Sequence, residues 1–423
     1  MPDNNNSSEL QYFKILTGFQ TYKLYFCYNY AFRNFIIIFK NMTNFVFQNP
    51  TKLIFGKNSI SSLPGELSKE NRILITFGGG SVKKNGVYQQ VINSLKGFTF
   101  FEFWGIEANP DIETLRKAIT LGKEKQCDFV LAVGGGSVID GSKLIAAGIP
   151  YEGDAWDIVT KRDFTSEKVL PLGTVLTLPA TGSEMNAGAV ISNRKAKEKF
   201  AFYSQYPQFS ILDPETTFTL PKHQISCGLA DTFIHVMEQY LTTPGQSPLM
   251  DRWSEGILQT IVEISPKVLA NPRDYDSMAT FMLSATMALN GFVSMGVSQD
   301  WATHMIGHEL TALHGLTHGH TLTILLPGTM WVLRGEKGDK ILQYGQRVWG
   351  ISGTDREETI VKIIDKTEEF FRSLGLKTRL SENGIGKETI TEIENRFEQR
   401  KAKYGENRSV DAKVARQILE RVL

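Results

Sequence analysis

Residues 129–133 (FVLAV) are an unbroken apolar run that ends at Gly134-Gly135-Gly136-Ser137, and residues 138–147 then take up helical spacing. A short valine-rich run with no polar alternation has to be buried on both faces, as a central strand of a parallel sheet is. Glycine then lets the chain turn tightly into a helix. The same order of events occurs earlier: residues 72–77 (RILITF) end at Gly78-Gly79-Gly80-Ser81, and a helical stretch follows at 89–95. Strand signals at 99–104, 171–178 and 209–212 alternate with a helical pattern at 114–125, and 45–55 reads as an extended run interrupted by Pro50. Alternating strands and helices predict an open, mostly parallel, Rossmann-like α/β sheet.

The pattern changes near Asp213-Pro214. From Pro221 onward the spacing is helical, at 228–241, 249–269, 275–290, 303–314 and 360–374, and strand signals nearly vanish. We therefore expect a dinucleotide-binding α/β domain over residues 42–215 and an all-helical domain over 216–423.

Residues 1–41 fit neither part. They are crowded with Phe, Tyr, Asn, Lys and Ile and hold no steady helical or strand period. No apolar stretch in them reaches the roughly 18 residues of a membrane span, and no signal-peptide pattern is visible. An orderly N-terminus begins at Met42, so the expectation is that 1–41 is an extension outside the native protein. The formal net charge of +1 gives no basic surplus for nucleic acid. Cys27, Cys127 and Cys227 are far apart with no CxxC pair. This spacing suits a reduced, cytoplasmic protein with no thiolate zinc site.

A strand that ends in glycines before a helix offers backbone N–H groups and a helix N-terminus to a phosphate. Gly134 to Ser137 has that setting, with Asp140 and Lys143 in the following turn. The turn Gly78–Ser81 carries no acid and is followed by Lys83 and Lys84, which points to NADP over NAD. Either turn serves equally well as a plain strand-to-helix connection, and paired lysines are commonly just solvated. The polar segment 177–184 (TLPATGSE) reads as a cofactor wall or as an ordinary polar loop. Asp231 and His235, four apart in a helical stretch, share one helix face, and His304 and His308 repeat that spacing. His314, His318 and His320 crowd the next few residues. One carboxylate with several imidazoles suits Fe2+ or Zn2+. Spacing alone leaves open which of these side chains bind.

Three longer segments, TLPATGSEMNAGAVIS, GLADTFIHVMEQY and WATHMIGHELTALHGLTHGH, resemble the iron-containing (group III) alcohol dehydrogenases. QNPTKLIFGKNSI, ITFGGGSVKKNGV and GIEANP are similar to its butanol dehydrogenase and broad aldehyde reductase branch. The resemblance covers about residues 43–420; residues 1–41 depart from it. It implies a dehydroquinate synthase-like architecture and one divalent metal, Fe2+ or Zn2+, on Asp231, His235, His304 and His318. It implies a proton-relay role for His308. For the cofactor it implies Gly135, Gly136, Ser137 and Asp140 at the pyrophosphate turn, Thr177 and Thr181 against the cofactor, Lys199 at the nicotinamide ribose and Asn109 near the adenine side. The Gly78, Gly79, Gly80, Ser81 turn takes the form associated with NADP(H) in preference to NAD(H).

The implied activity is hydride transfer between NADP(H) and short-chain primary alcohols or aldehydes such as butanol and butyraldehyde, in a homodimer with no membrane or nucleic-acid partner. Two alternatives carry different chemistry. One is a non-redox lyase on the same scaffold that uses NAD transiently; it predicts no net consumption of NADPH. The other is a non-catalytic metal- or nucleotide-binding protein; it predicts no turnover with added Fe2+ or Zn2+.

Overall fold

The computed structural model describes residues 41–161 and 168–423, together with the backbone of two short strands that pair antiparallel, β1 (Phe13–Thr17) and β2 (Gln20–Leu24). Apart from that pair, the expected extension at 1–41 lies almost wholly outside the described residues.

The remaining strands are β3 (Lys52–Phe55), β4 (Arg72–Phe77), β5 (Thr99–Phe103), β6 (Phe129–Gly134), β7 (Leu172–Leu176), β8 (Gly188–Asn193), β9 (Glu198–Tyr203) and β10 (Phe209–Leu212). Six of them form one sheet in the order β3-β10-β7-β6-β4-β5, and every pairing in it is parallel. Helices α1 (Ser81–Lys84), α2 (Val87–Ser94), α3 (Ile112–Glu124), α4 (Gly136–Gly148) and α5 (Ala155–Lys161) connect and cover it. Side chains alternate across the sheet as strand geometry requires. Ile73, Ile75, Phe77, Leu131 and Val133 pack with Val87 and Val91 of α2. Leu74, Val130 and Ala132 pack on the opposite face with Leu115 of α3 and Ile139 and Leu144 of α4.

The order of strands positions the site. β4 and β6 are neighbours, with Phe77 opposite Val133. The chain leaving β4 crosses to β5 on one side, and the chain leaving β6 crosses to β7 on the other. Both glycine turns therefore meet at the carboxyl ends of adjacent strands, at the switch point where open α/β sheets bind ligands.

After Leu212 the described residues hold only helices and one isolated bridge, Tyr404 to Val410. The helices are α6 (Lys222–Tyr240), α7 (Pro248–Ala270), α8 (Tyr275–Ala288), α9 (Ala302–His314), α10 (His318–Val332), α11 (Arg334–Tyr344), α12 (Arg356–Ser373), α13 (Lys387–Gln399) and α14 (Ala412–Arg421). Ser247 and Asp355 cap α7 and α12 through the N–H groups of Met250 and Glu358. None of the described helices is long and apolar enough to cross a membrane.

The structure departs from the sequence pattern in several places. The extended run at 45–55 pairs only from Lys52, beyond Pro50, which has no N–H to give a ladder. α6 begins six residues before the expected Gly228. That glycine is interior because a Cβ there would meet the Pro179 carbonyl oxygen at 2.5 Å. The antiparallel hairpin β8–β9 and the helices α5, α10, α11, α13 and α14 were not singled out in the sequence.

Candidate active site

Asp231 and His235 lie one turn apart on α6, His304 lies in the first turn of α9, and His318 opens α10. Gly319 lets α10 close on α6, since a Cβ there would sit 2.3 Å from the Cys227 carbonyl oxygen. One ligand atom from each of the four residues lies within 4.8 Å of the others. His235 Nδ1 and His318 Nε2 are each 3.8 Å from Asp231 Oδ1, and His304 Nε2 is 4.0 Å from it. These gaps are too wide for hydrogen bonds. Asp231 Oδ1, His235 Nδ1 and His304 Nε2 are buried and have no hydrogen-bond partner. Each such atom costs about 1–3 kcal/mol when left unsatisfied. A divalent cation among them would satisfy all three, so the donor set fits a metal.

The electrostatics agree. Burial pushes the Asp231 carboxyl upward, a shift that a cation beside Oδ1 would oppose. Burial pushes His235 down to about 4 and His304 down to about 3, the latter helped by the Lys199 charge. The imidazoles are therefore neutral, as ligands must be.

His308 is buried one turn beyond His304, its ring 5.4 Å from that of His318, but it stands outside the four-residue group. His314 bonds Thr389 Oγ1 at 2.9 Å, and the His320 ring packs edge-on to His223. Neither joins the cluster. Glu238 was missed by sequence reasoning. It is 3% exposed, its Oε2 accepts a hydrogen bond from His304 Nδ1, and its Oε1 accepts one from the Thr303 N–H at 2.7 Å. The available signal was its spacing: Asp231, His235 and Glu238 fall on one face of a helix.

Gly78, Gly80, Ser81, Asn109, Gly135, Gly136, Ser137, Thr177 and Thr181 line a cleft of about 670 Å³ whose walls also include Asp231 and His318. Gly79 is not on its wall. Lys199 and Asp140 line an adjoining cavity of about 570 Å³ with His235, His304 and His308. Asn109, Ser137, Thr181 and His318 face both spaces, which puts the cluster at their junction.

Asp140 is engaged from within the fold. Its carboxylate accepts hydrogen bonds from the Ser183 hydroxyl and, at 2.9 Å, from the Val190 N–H. Lys143 Nζ donates to Ser183 Oγ, Asn186 Oδ1 and the Gly188 carbonyl at 2.8, 3.1 and 2.6 Å. Burial pushes Asp140 up and Lys143 down to about 8. The pair anchors the entry to hairpin β8–β9, which carries Lys199. At the other end of the cleft Lys83 is exposed, its Nζ 4.0 Å from the Trp104 ring centroid.

A parallel sheet with glycine turns at its switch point, joined across a cleft to a carboxylate–imidazole cluster on helices, defines a two-part nucleotide-binding protein with a candidate metal centre. Residues 50–214 match the model of the iron-containing alcohol dehydrogenases, and residues 225–423 match the C-terminal model of the Fe-containing alcohol dehydrogenase family. The chain belongs to the iron-containing alcohol dehydrogenase family, and is an oxidoreductase of its aldehyde reductase and butanol dehydrogenase branch. It is 47% identical to the NADPH-dependent aldehyde reductase YqhD of Escherichia coli, over 90% of this chain and 99% of that one. It is 44% identical to the probable NADH-dependent butanol dehydrogenase 1 of Bacillus subtilis, over 83% and 92%. A crystal structure of YqhD from E. coli K-12 superposes with a TM-score of 0.89 at 46% identity, covering 90% of this chain and all of that one.

Proposed function

We propose that this protein transfers hydride between NADP(H) and short-chain primary alcohols or aldehydes such as butanol and butyraldehyde, using one divalent metal, Fe2+ or Zn2+, held by Asp231, His235, His304 and His318. The observation that carries this reading is the set of buried, unpartnered donor atoms converging beside a glycine-lined cleft. When bound, the metal supplies Lewis-acid polarisation of the substrate oxygen and the reduced nicotinamide supplies the hydride.

The chain's own residues supply the rest. Gly135, Gly136 and Ser137 open α4 and present its free N–H groups to a pyrophosphate. Lys199 and Asn109 face the same space and offer an ammonium and an amide to ribose hydroxyls. His308 is buried on the cavity wall beside His318, where a neutral imidazole can both donate and accept a proton. The preference for NADP(H) over NAD(H) is supported by the open, acid-free turn Gly78–Ser81 with exposed Lys83 beside it. Glu102 on the neighbouring strand is already occupied by the Tyr88 hydroxyl at 3.0 Å and by Trp104 Nε1 at 2.8 Å. The relatives divide on this point, since YqhD is named for NADPH and the Bacillus protein for NADH.

The test is anaerobic purification with metal analysis, followed by NADPH and NADH consumption with butyraldehyde. One Fe2+ or Zn2+ per chain and a faster NADPH reaction are expected. A metal-free protein that consumes neither cofactor after Fe2+ or Zn2+ is added overturns the reading, and faster NADH consumption overturns its cofactor half.

A further inference from the structure

We infer that Glu238 is the positioning residue that fixes the tautomer of His304, so that Nε2 is the bare nitrogen presented to the metal, and that it thereby sets how tightly the metal is held. This rests on the metal reading of the Asp231, His235, His304, His318 cluster.

Glu238 sits on α6 one turn beyond His235, with no water-facing side. Its two oxygens do different jobs. Oε1 accepts from the backbone N–H groups of Thr303 at 2.7 Å and His304 at 3.4 Å. Those donors belong to the first turn of α9, where helix N–H groups have no partner within the helix. The preceding residue, Trp301, gives α9 no side-chain cap, so Glu238 satisfies the turn from a neighbouring helix. Oε2 accepts from His304 Nδ1. Burial pushes the Glu238 carboxyl up, but the two backbone N–H groups on Oε1 favour its charged form. So held, the carboxylate has no proton to give, Nδ1 carries the N–H and Nε2 is bare. Nε2 is the nitrogen that faces Asp231 Oδ1 at 4.0 Å and lacks any partner. One buried side chain thus holds both the backbone and the ring of this histidine. Among the described residues His304 is the one imidazole of the cluster with a carboxylate behind it; His318 Nδ1 is buried without a partner.

The carboxylate is needed on both sides, and Glu238→Gln tests this. If the amide oxygen keeps the two backbone N–H groups, the amide nitrogen meets Nδ1. Nδ1 must then be bare, and the proton moves to Nε2 and blocks ligation. If the amide turns over, its nitrogen opposes two N–H donors. Chelator competition with Zn2+ should show the metal dissociation constant of E238Q weakened about 10–100-fold, the range typical for partners behind metal-bound histidines. Nitrogen-15 spectra of histidine-labelled, metal-free wild type, with His304 assigned from its loss in His304→Gln, should show the proton on Nδ1. E238Q should shift it toward Nε2, a change that loss of packing alone does not produce. The wild-type spectrum stands even if E238Q fails to fold: an Nε2 proton there overturns the inference. Equal Zn2+ affinity in wild type and E238Q also overturns it, while leaving the metal reading intact. Failure of the wild type to bind Fe2+ or Zn2+ removes the metal reading and this inference with it.

Discussion

Lys199 Nζ donates a 2.9 Å hydrogen bond to Asn109 Oδ1, and the Asn109 N–H reaches Ser137 Oγ at 3.3 Å. Hairpin β8–β9 is thereby linked to the glycine turn that follows β6, across the space proposed for the nicotinamide ribose.

That link gives a pH prediction. Burial pushes the Lys199 ammonium down to about 8, against the pull of Asp140 and Asp231. The lysine is charged below that pH and neutral above it. A charge-assisted hydrogen bond contributes roughly 1.5–3 kcal/mol, so the KM for NADPH should rise as pH climbs through about 8. Lys199→Met should raise that KM about tenfold at pH 7, corresponding to about 1.4 kcal/mol, and remove the pH step. Initial rates from pH 6.5 to 9.5 measure both. A wild-type KM that stays flat through this range counts against the assignment.

Gly136 is fixed by packing as well as by ligand approach. A methyl group there would lie 2.3 Å from Thr181 Oγ1, 3.0 Å from its Cγ2 and 3.2 Å from its Cβ. Rotating Thr181 only exchanges one clash for another. Gly136→Ala should therefore cost about 1–3 kcal/mol by overpacking. It should also weaken NADPH binding, because Thr181 lines the cleft. Thermal melts and fluorescence titration with NADPH report the two effects separately. A variant that melts and binds like wild type shows that the loop yields freely.

Much of this arrangement was legible, for identifiable reasons. β4 and β6 end where unbroken apolar runs meet glycine, a signal that survives without tertiary information. Asp231–His235 and His304 stand out because helix spacing puts each on a predictable face. The hairpin β8–β9 was hidden because Lys199, a buried position of β9, breaks the expected apolar alternation. α10 was hidden because it is buried nearly all round, carries an interior Pro327 and opens on the polar run His318-Gly319-His320. Asp140 matched a family position by sequence, yet its oxygens serve Ser183 and Val190, partners that only folding brings near. The choice of four ligands among several histidines rested on resemblance, not on spacing.

Trp301 stores strain beside the cluster. Its φ is 66°, in the left-handed region that a bulky residue rarely adopts, at a cost of about 1–2 kcal/mol. The indole stands edge-on to His304 and His235, with ring centroids 5.3 and 6.2 Å away, and forms a wall of the smaller cavity. Trp301→Gly should relieve the backbone strain and open that wall. The ratio of kcat/KM for benzaldehyde to that for butyraldehyde should rise about tenfold, within the 1–3 kcal/mol by which a pocket distinguishes small apolar groups. An unchanged ratio would show that the indole does not limit substrate size.

Asp231 is the one negative donor in the cluster, and its removal should act oppositely on the metal-loaded and metal-free protein. Asp231→Asn keeps the shape but leaves a divalent cation only neutral donors, so metal affinity should fall by more than about 100-fold, beyond what loss of an outer partner costs. In the metal-free protein the same change removes a buried carboxylate whose burial disfavours its charge, so the stripped variant should melt at or above the stripped wild type. Metal at 100 times the wild-type dissociation constant should stabilise the wild type by about 2.7 kcal/mol and Asp231→Asn by no more than about 0.4 kcal/mol. Calorimetry on chelator-treated and Zn2+-loaded samples of both proteins gives the four melting temperatures. A wild type whose melting temperature does not respond to Zn2+ would mean that the converging donor atoms of Asp231, His235 and His304 are satisfied by something other than a metal.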